Sequence, residues 1–302
     1  MNNKIYLAAA TLMLAACTNN EMPETTDTDV AMKVNAAISS IGTRASGTTW
    51  TTGDLIGIST TSQTKTQYTN IAYAYNGSSF IAEANEIYFQ DTETVTFKAY
   101  YPYTGIAGKP ANNVVGYTYA TNQTAANQPK IDYLFAEGAT GSKANFTVYF
   151  TGTAAFRHCM SQITLTFKDG EDVKLAGKLT EYTLSGLKIK GVFNTENGEA
   201  YALDNADAAA DLTIEPGSVT TTDGQYTAAP LIVFPQDAST ISLSVKVDGQ
   251  TYSARLTVPD GKLQDGNNYT WTVTVNKTRL SVGTAEISPW QDVEGRGTSA
   301  RM

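Results

Sequence analysis

Apolar residues in this chain fall into short alternating runs, broken by Gly, Asn and Asp roughly every ten positions. From Ile241 to Val247, the residues Ile241, Leu243, Val245 and Val247 share one face, while Ser242, Ser244 and Lys246 share the other. That period of two predicts a half-buried antiparallel strand. Asp248-Gly249 follows, then a second run through residues 250–258, which predicts a hairpin closed by a type I′ turn. Residues 71–75, Asn76-Gly77 and residues 78–82 predict another of the same kind. The pattern recurs at Val95, Phe97, Ala99 and Tyr101, at Phe146, Val148 and Phe150, and at Tyr269, Trp271, Val273 and Val275. Further Asp-Gly or Asn-Gly steps stand at Asp169, Asn197, Asp223, Asp260 and Asp265. Residues 31–41 form one more candidate strand, with Met32, Val34 and Ala36 alternating with Lys33 and Asn35. Helical periodicity is scarce: residues 202–212, rich in Ala and Asp, suit a short helix or a loop. An all-β chain of two sandwich-like domains is expected, divided near Thr151-Gly152-Thr153.

The first residues carry a different signal. Lys4 precedes an apolar stretch over residues 5–16, too short to remain as a membrane-spanning helix. It ends in Leu14-Ala15-Ala16-Cys17 and is followed by polar Thr18-Asn19-Asn20-Glu21. Small residues before a cysteine predict a lipoprotein signal, cut between Ala16 and Cys17, with an acyl chain such as palmitate on the Cys17 thiol. An exported protein held at a bacterial surface by its lipid is expected.

Composition narrows the chemistry. The 302 residues carry a formal charge of −8, which excludes nucleic-acid binding through a basic surface. With Cys17 acylated, Cys159 has no disulfide partner. The one histidine, His158, excludes any site needing two histidines, and no metal or other cofactor is expected. Cys159 beside it suggests a thiol and its base, but adjacent strand residues point to opposite faces; Cys159 is expected to share a face with Ile163, Leu165 and Phe167. Asp204, Asp207 and Asp211 lack the spacing of a calcium loop, and Asp169, Glu171 and Asp172 read as turn residues. No phosphate-binding glycine loop or G-x-S-x-G elbow occurs, and no pair of carboxylates stands out for glycoside hydrolysis. Tyr100, Tyr101 and Tyr103, around Pro102, suit either ordinary strand positions or stacking on sugars or a partner protein.

Several motifs in order extend this reading. They are Ile41-Gly42-Thr43-Arg44-Ala45-Ser46-Gly47; then Trp50 and Gly53-Asp54-Leu55-Ile56-Gly57-Ile58-Ser59; Phe156-x-His158 with Ser161-Gln162-Ile163; Leu263-x-Asp265-Gly266-x-x-Tyr269-x-Trp271; and Ile287-x-x-Trp290. Together they resemble the fimbrillin family, the type V pilins of Bacteroidota. The resemblance implies two transthyretin-like antiparallel β-sandwich domains in tandem, a structural and non-enzymatic role in a surface fimbria, and a part in adhesion. It divides the chain into a signal peptide (1–16), a tether and propeptide strand (17–44), and sandwiches at 45–152 and 153–302. It further implies transport to the outer membrane as a lipoprotein and a cut by an Arg-specific protease between Arg44 and Ala45. Removing the preceding strand would open a groove that a strand from another pilin subunit fills. Residues 291–302 lack apolar alternation, so the donor strand lies upstream in residues 280–287, or the protein is a tip or accessory subunit. The rival reading is an uncleaved outer-membrane lipoprotein that keeps Cys17 and residues 18–44, acting as a pilus anchor or glycan-binding module. Its partner would be a host protein or glycan.

Overall fold

A computed structural model describes residues 28–39, 49–205 and 208–290. Every regular element among them is a β-strand or a short 3₁₀ turn. The first half builds an eight-stranded sheet in the order Thr147–Phe150, Lys33–Ala36, Phe80–Ala82, Ile71–Tyr75, Leu55–Thr60, Val95–Tyr101, Leu134–Gly141, Arg157–His158. Leu134–Gly141 lies near one end of this path and Thr147–Phe150 at the other, yet a tight turn with paired Ser142 and Asn145 joins them. The sheet therefore curls around its own apolar face. Ile56, Ile58, Tyr73, Phe89, Phe97, Phe150 and Phe156 fill the interior.

The second half builds two sheets over a shared core. In one, Ser161–Asp169 lies beside Asn267–Asn276; Gln225–Thr227 and Leu231–Val233 pair with the former, Arg279–Val282 and Glu286–Pro289 with the latter. The other runs Leu212–Ile214, Leu179–Ser185, Thr240–Val247, Gln250–Thr257. Ile163, Leu165, Phe167, Trp271 and Val273 meet Tyr182, Leu184, Leu243 and Val245 in the core. The hairpin from Thr240 forms as its alternation predicts. Asp248 and Gly249 both take positive φ, and Val247 pairs with Gln250.

Three expectations are corrected. The sheets are not purely antiparallel: Lys33–Ala36 runs parallel to Thr147–Phe150, and Ser161–Asp169 runs parallel to Asn267–Asn276. Parallel neighbours need a long crossover, and each pair is about a hundred residues apart in sequence, so neither was visible as local patterning. The Asn76 turn is not type I′. Only Gly77 has positive φ, while the Asn76 side chain accepts hydrogen bonds from Ser78 and Ser79 N–H in a four-residue loop. The described residues between the strands Ala200–Ala202 and Leu212–Ile214 connect them as a loop, one of the two forms their composition suits. Finally, Cys159 does not join Ile163, Leu165 and Phe167. The chain bends after His158 as it leaves the first sheet, and Cys159 enters a third cluster with Tyr133, Phe135, Phe193, Phe234 and Trp290.

That third cluster joins the two halves. Asn113–Tyr117, from the first half, pairs with Lys190–Asn194 from the second. Gly116 lies opposite Gly191 in this pairing. A Cβ on Gly191 would sit 2.4 Å from the Phe234 ring, and one on Gly116 would sit 2.3 Å from the Tyr133 hydroxyl. The two glycines leave a flat patch on which aromatic rings lie, with Tyr133 stacked on Phe193 at 4.8 Å. Gly191→Ala should therefore destabilise the protein by about 1–3 kcal/mol, whereas Tyr149→Ala, at a 56% exposed position, should change stability by no more than about 0.5 kcal/mol. Urea unfolding of both variants measures the contrast.

Candidate functional site: an inserted strand and the junction beside it

The strand that residues 31–41 predict forms at Lys33–Ala36 and takes an interior position. It pairs parallel with Thr147–Phe150 on one side and antiparallel with Phe80–Ala82 on the other. Val34 sits in register with both Phe80 and Val148, and all three are buried. Main-chain pairing continues past the strand: Met32 N–H donates to Ile87 O (2.8 Å), Ala37 N–H to Phe150 O (2.9 Å) and Ser39 N–H to Phe156 O (2.6 Å). Phe156 N–H in turn donates to Ala37 O (2.9 Å). Met32 is 2% exposed and Val34 1%. Burying these two side chains contributes about 3–6 kcal/mol to holding the segment in place.

Trp50 ties the following part of the chain to this strand. Its indole N–H donates to Ala36 O at 3.0 Å. Its ring meets Phe80, Tyr101 and Phe156 edge-on, at 5.0, 5.5 and 5.1 Å. Asp54 holds the turn beneath it, accepting from Thr51 N–H (2.7 Å) and from the Tyr101 hydroxyl (3.1 Å). Burial pushes the Tyr101 hydroxyl well above its usual range, and the Asp54 carboxylate adds to the shift. Trp50 and Gly53-Asp54 were legible as a motif, but their attachment to the preceding strand was not.

His158 closes the strand Arg157–His158, and Cys159 follows it outside the strand. His158 Nδ1 pairs with Asp132 Oδ1 at 2.9 Å, and its ring stacks on Trp290 at 4.3 Å. Asp132 carried no sequence signal, because the pairing spans 26 positions and two elements. Burial pushes the Cys159 thiol up to about 12, so it stays protonated and unreactive at neutral pH. Asp204 pairs with Lys188 (2.7 Å), which holds its carboxyl below the ordinary value. Asp169 accepts from Leu175 N–H and pairs with Lys174, as a turn residue would. Tyr100 and Tyr101 are 4% and 8% exposed, so neither ring lies open on the outer surface, and Tyr101 borders only a cavity beside Trp50. Residues 280–287, the alternative donor segment, include the strand Arg279–Val282 and the start of Glu286–Pro289, both paired along Asn267–Asn276. Ala16, Cys17, Arg44, Ala45 and Asp207 lie outside the described residues.

A model of the fimbrillin-like family matches residues 43–290. The chain belongs to the fimbrillin-like family. It is 28% identical over 311 aligned residues to a candidate fimbrium subunit, Fim1C, of Bacteroides uniformis, covering 95% of this chain and 94% of that one. The crystal structure of a candidate cell-adhesion protein from Bacteroides ovatus matches with a TM-score of 0.74 and 28% identity, covering 88% of this chain and 100% of that one. A candidate cell-adhesion protein from Bacteroides uniformis has the same fold, with a TM-score of 0.65 at 23% identity over 87% of this chain and 99% of that one. Fimbrillins are structural proteins and not enzymes.

The tyrosines around this junction contribute to the loss of stability at alkaline pH. Burial pushes Tyr100 and Tyr133 up to about 12 in the folded chain, against about 10 when unfolded. The unfolded state thus releases protons first, so the stability these groups contribute is intact below pH ~10 and lost as pH rises toward ~12. Denaturant midpoints measured from pH 8 to 12 should hold steady and then fall above pH ~10.

Proposed function

We propose that this fimbrillin is a structural subunit of a cell-surface fimbria that polymerises by strand exchange and supports adhesion. On this reading the precursor reaches the outer membrane as a lipoprotein anchored through Cys17. An Arg-specific protease cuts between Arg44 and Ala45, and the strand before the cut leaves the first domain. A strand from another pilin subunit then takes its place. The body consists of two transthyretin-like sandwiches, at residues 45–152 and 153–302, following the signal at 1–16 and the tether and propeptide strand at 17–44. Two large apolar clusters, one drawn from residues 32–156 and the other from residues 163–280, support two units, with Phe156 and the strand Arg157–His158 still packing with the first.

The observation that carries the proposal is the interior position of Lys33–Ala36. An edge strand could leave and expose one row of backbone groups. This one separates two neighbours, so its departure would leave Phe150 O and the partners of Val34 unpaired and uncover Phe80, Val148 and Phe150. Only another extended segment meets both needs at once, because it supplies backbone donors and acceptors along with alternating apolar side chains. The region matched to the family begins at residue 43, after this strand and just before Arg44.

Treating the purified precursor with an Arg-specific protease should give a chain beginning at Ala45 that assembles into oligomers, and Arg44→Ala should block both events. A product that stays monomeric, together with unchanged fimbriae in cells carrying Arg44→Ala, would sink the mechanism. N-terminal sequencing of the protein on intact cells separates it from the uncleaved-lipoprotein reading, which requires a blocked Cys17.

A further inference from the structure

A cavity of about 260 Å³ lies where the two halves meet, beside Trp50. Trp50 and Tyr101 form an aromatic wall, with Leu134 and Ile232 supplying further apolar surface. Asp54, Asp132, Gln128 and Gln162 supply the polar groups together with the hydroxyls of Thr49 and Thr51, and no lysine or arginine is among the described lining residues. Gln162 is only 4% exposed, and its side-chain Oε1 has no hydrogen-bond partner among the described residues. Its place on Ser161–Asp169 explains the burial. It lies on the same face as Thr164 and Thr166, a face that would be open to solvent if the strand's own sandwich were the whole protein. Residues of the first half close over it.

We propose that this cavity binds one neutral or amino-substituted monosaccharide unit of a glycan. The polar groups are weighted toward acceptors. Asp54 receives one hydrogen from Thr51 N–H and one from the Tyr101 hydroxyl, and an ionised carboxylate offers about four lone-pair sites, so it can take more. Gln128 Nε2 donates to Pro230 O at 2.6 Å, which leaves its amide oxygen to accept. Gln162 Oε1 is an acceptor already withdrawn from water, a costly state that a ligand hydroxyl would relieve. A sugar ring suits such a site: hydroxyls on its edge donate to the carboxylates and amides, and its C–H faces lie on the aromatic and aliphatic walls. A bare ammonium or guanidinium ion would meet the carboxylates but leave the apolar walls unused. Two carboxylates with no lysine or arginine among the described lining residues disfavour sugars that bear a carboxylate, such as sialic and uronic acids.

The inference does not depend on cleavage or polymerisation, and it is tested on the uncut precursor. Glycan-array screening is followed by calorimetric titration with methyl glycosides of neutral hexoses and N-acetylhexosamines, with sialic acid, glucuronic acid and arginine methyl ester as competitors. A neutral or amino sugar should bind, and Gln162→Met, which keeps the volume and removes the acceptor, should weaken it at least tenfold with a thermal midpoint unchanged or raised. Gln128→Ala, at a more accessible position, should also weaken binding and serves if Gln162→Met fails to fold. Absence of binding by every neutral and amino sugar, equal binding of an acidic sugar, binding of arginine methyl ester alone, or full affinity in both variants would each overturn the proposal.

Discussion

The structure depends on main-chain pairing to both edges of one short segment. Lys33–Ala36 lies between strands contributed by residues 80–82 and 147–150, and no local interaction could hold it there. Its neighbours are 46 and 114 residues away in sequence by the Val34 register to Phe80 and Val148. What fixes it is the requirement that every backbone group inside a sheet find a partner, together with the burial of Met32 and Val34. The same requirement makes the segment replaceable. The groups that receive it recognise an extended backbone with alternating apolar residues and not a particular sequence.

A second constraint joins the halves. Within eight residues the chain contributes to three interiors: Phe156 to the first core, Cys159 and Met160 to the cluster between the halves, and Ile163 to the second core. His158 lies in the middle of this run, bonded to Asp132 and stacked on Trp290. The last described residue of the chain is thereby tied to the end of the first sheet. The glycine pair at 116 and 191 lets the paired strands Asn113–Tyr117 and Lys190–Asn194 approach the same cluster closely. Burying polar residues such as Gln162 and Asp132 at this junction follows from stacking two units whose strands still carry outward polar positions.

How much of this was legible depended on distance along the chain. The hairpin at Asp248-Gly249 and the face shared by Ile241, Leu243, Val245 and Val247 could be read directly, because turn chemistry and a period of two act within a few residues. Even there the outcome turned on detail: Asn76-Gly77 looks alike in sequence, but its asparagine side chain closes a wider loop. Tyr100 and Tyr101 occupy opposite faces of one strand, and in sequence each suited either an ordinary strand position or a stacking surface. Both are buried, since Tyr101 faces the first core and Tyr100 the cluster between the halves. The parallel pairings, the separation of Cys159 from Ile163, and the cavity beside Trp50 had no local signal.

By itself the sequence determined the all-β class, the alternating strands, the family motifs around Trp50, His158 and Trp271, and the strand-forming character of the segment before Arg44. Those properties follow from side-chain periodicity and backbone preference, which act over a few residues at a time. The tertiary structure decided that this segment sits between two strands and not at an edge. It also decided that Asp132 meets His158 and that Gln162 is covered by the other half of the molecule. Each of these depends on which distant strands become neighbours, a choice made by the burial of whole faces and by the pairing of every interior backbone group.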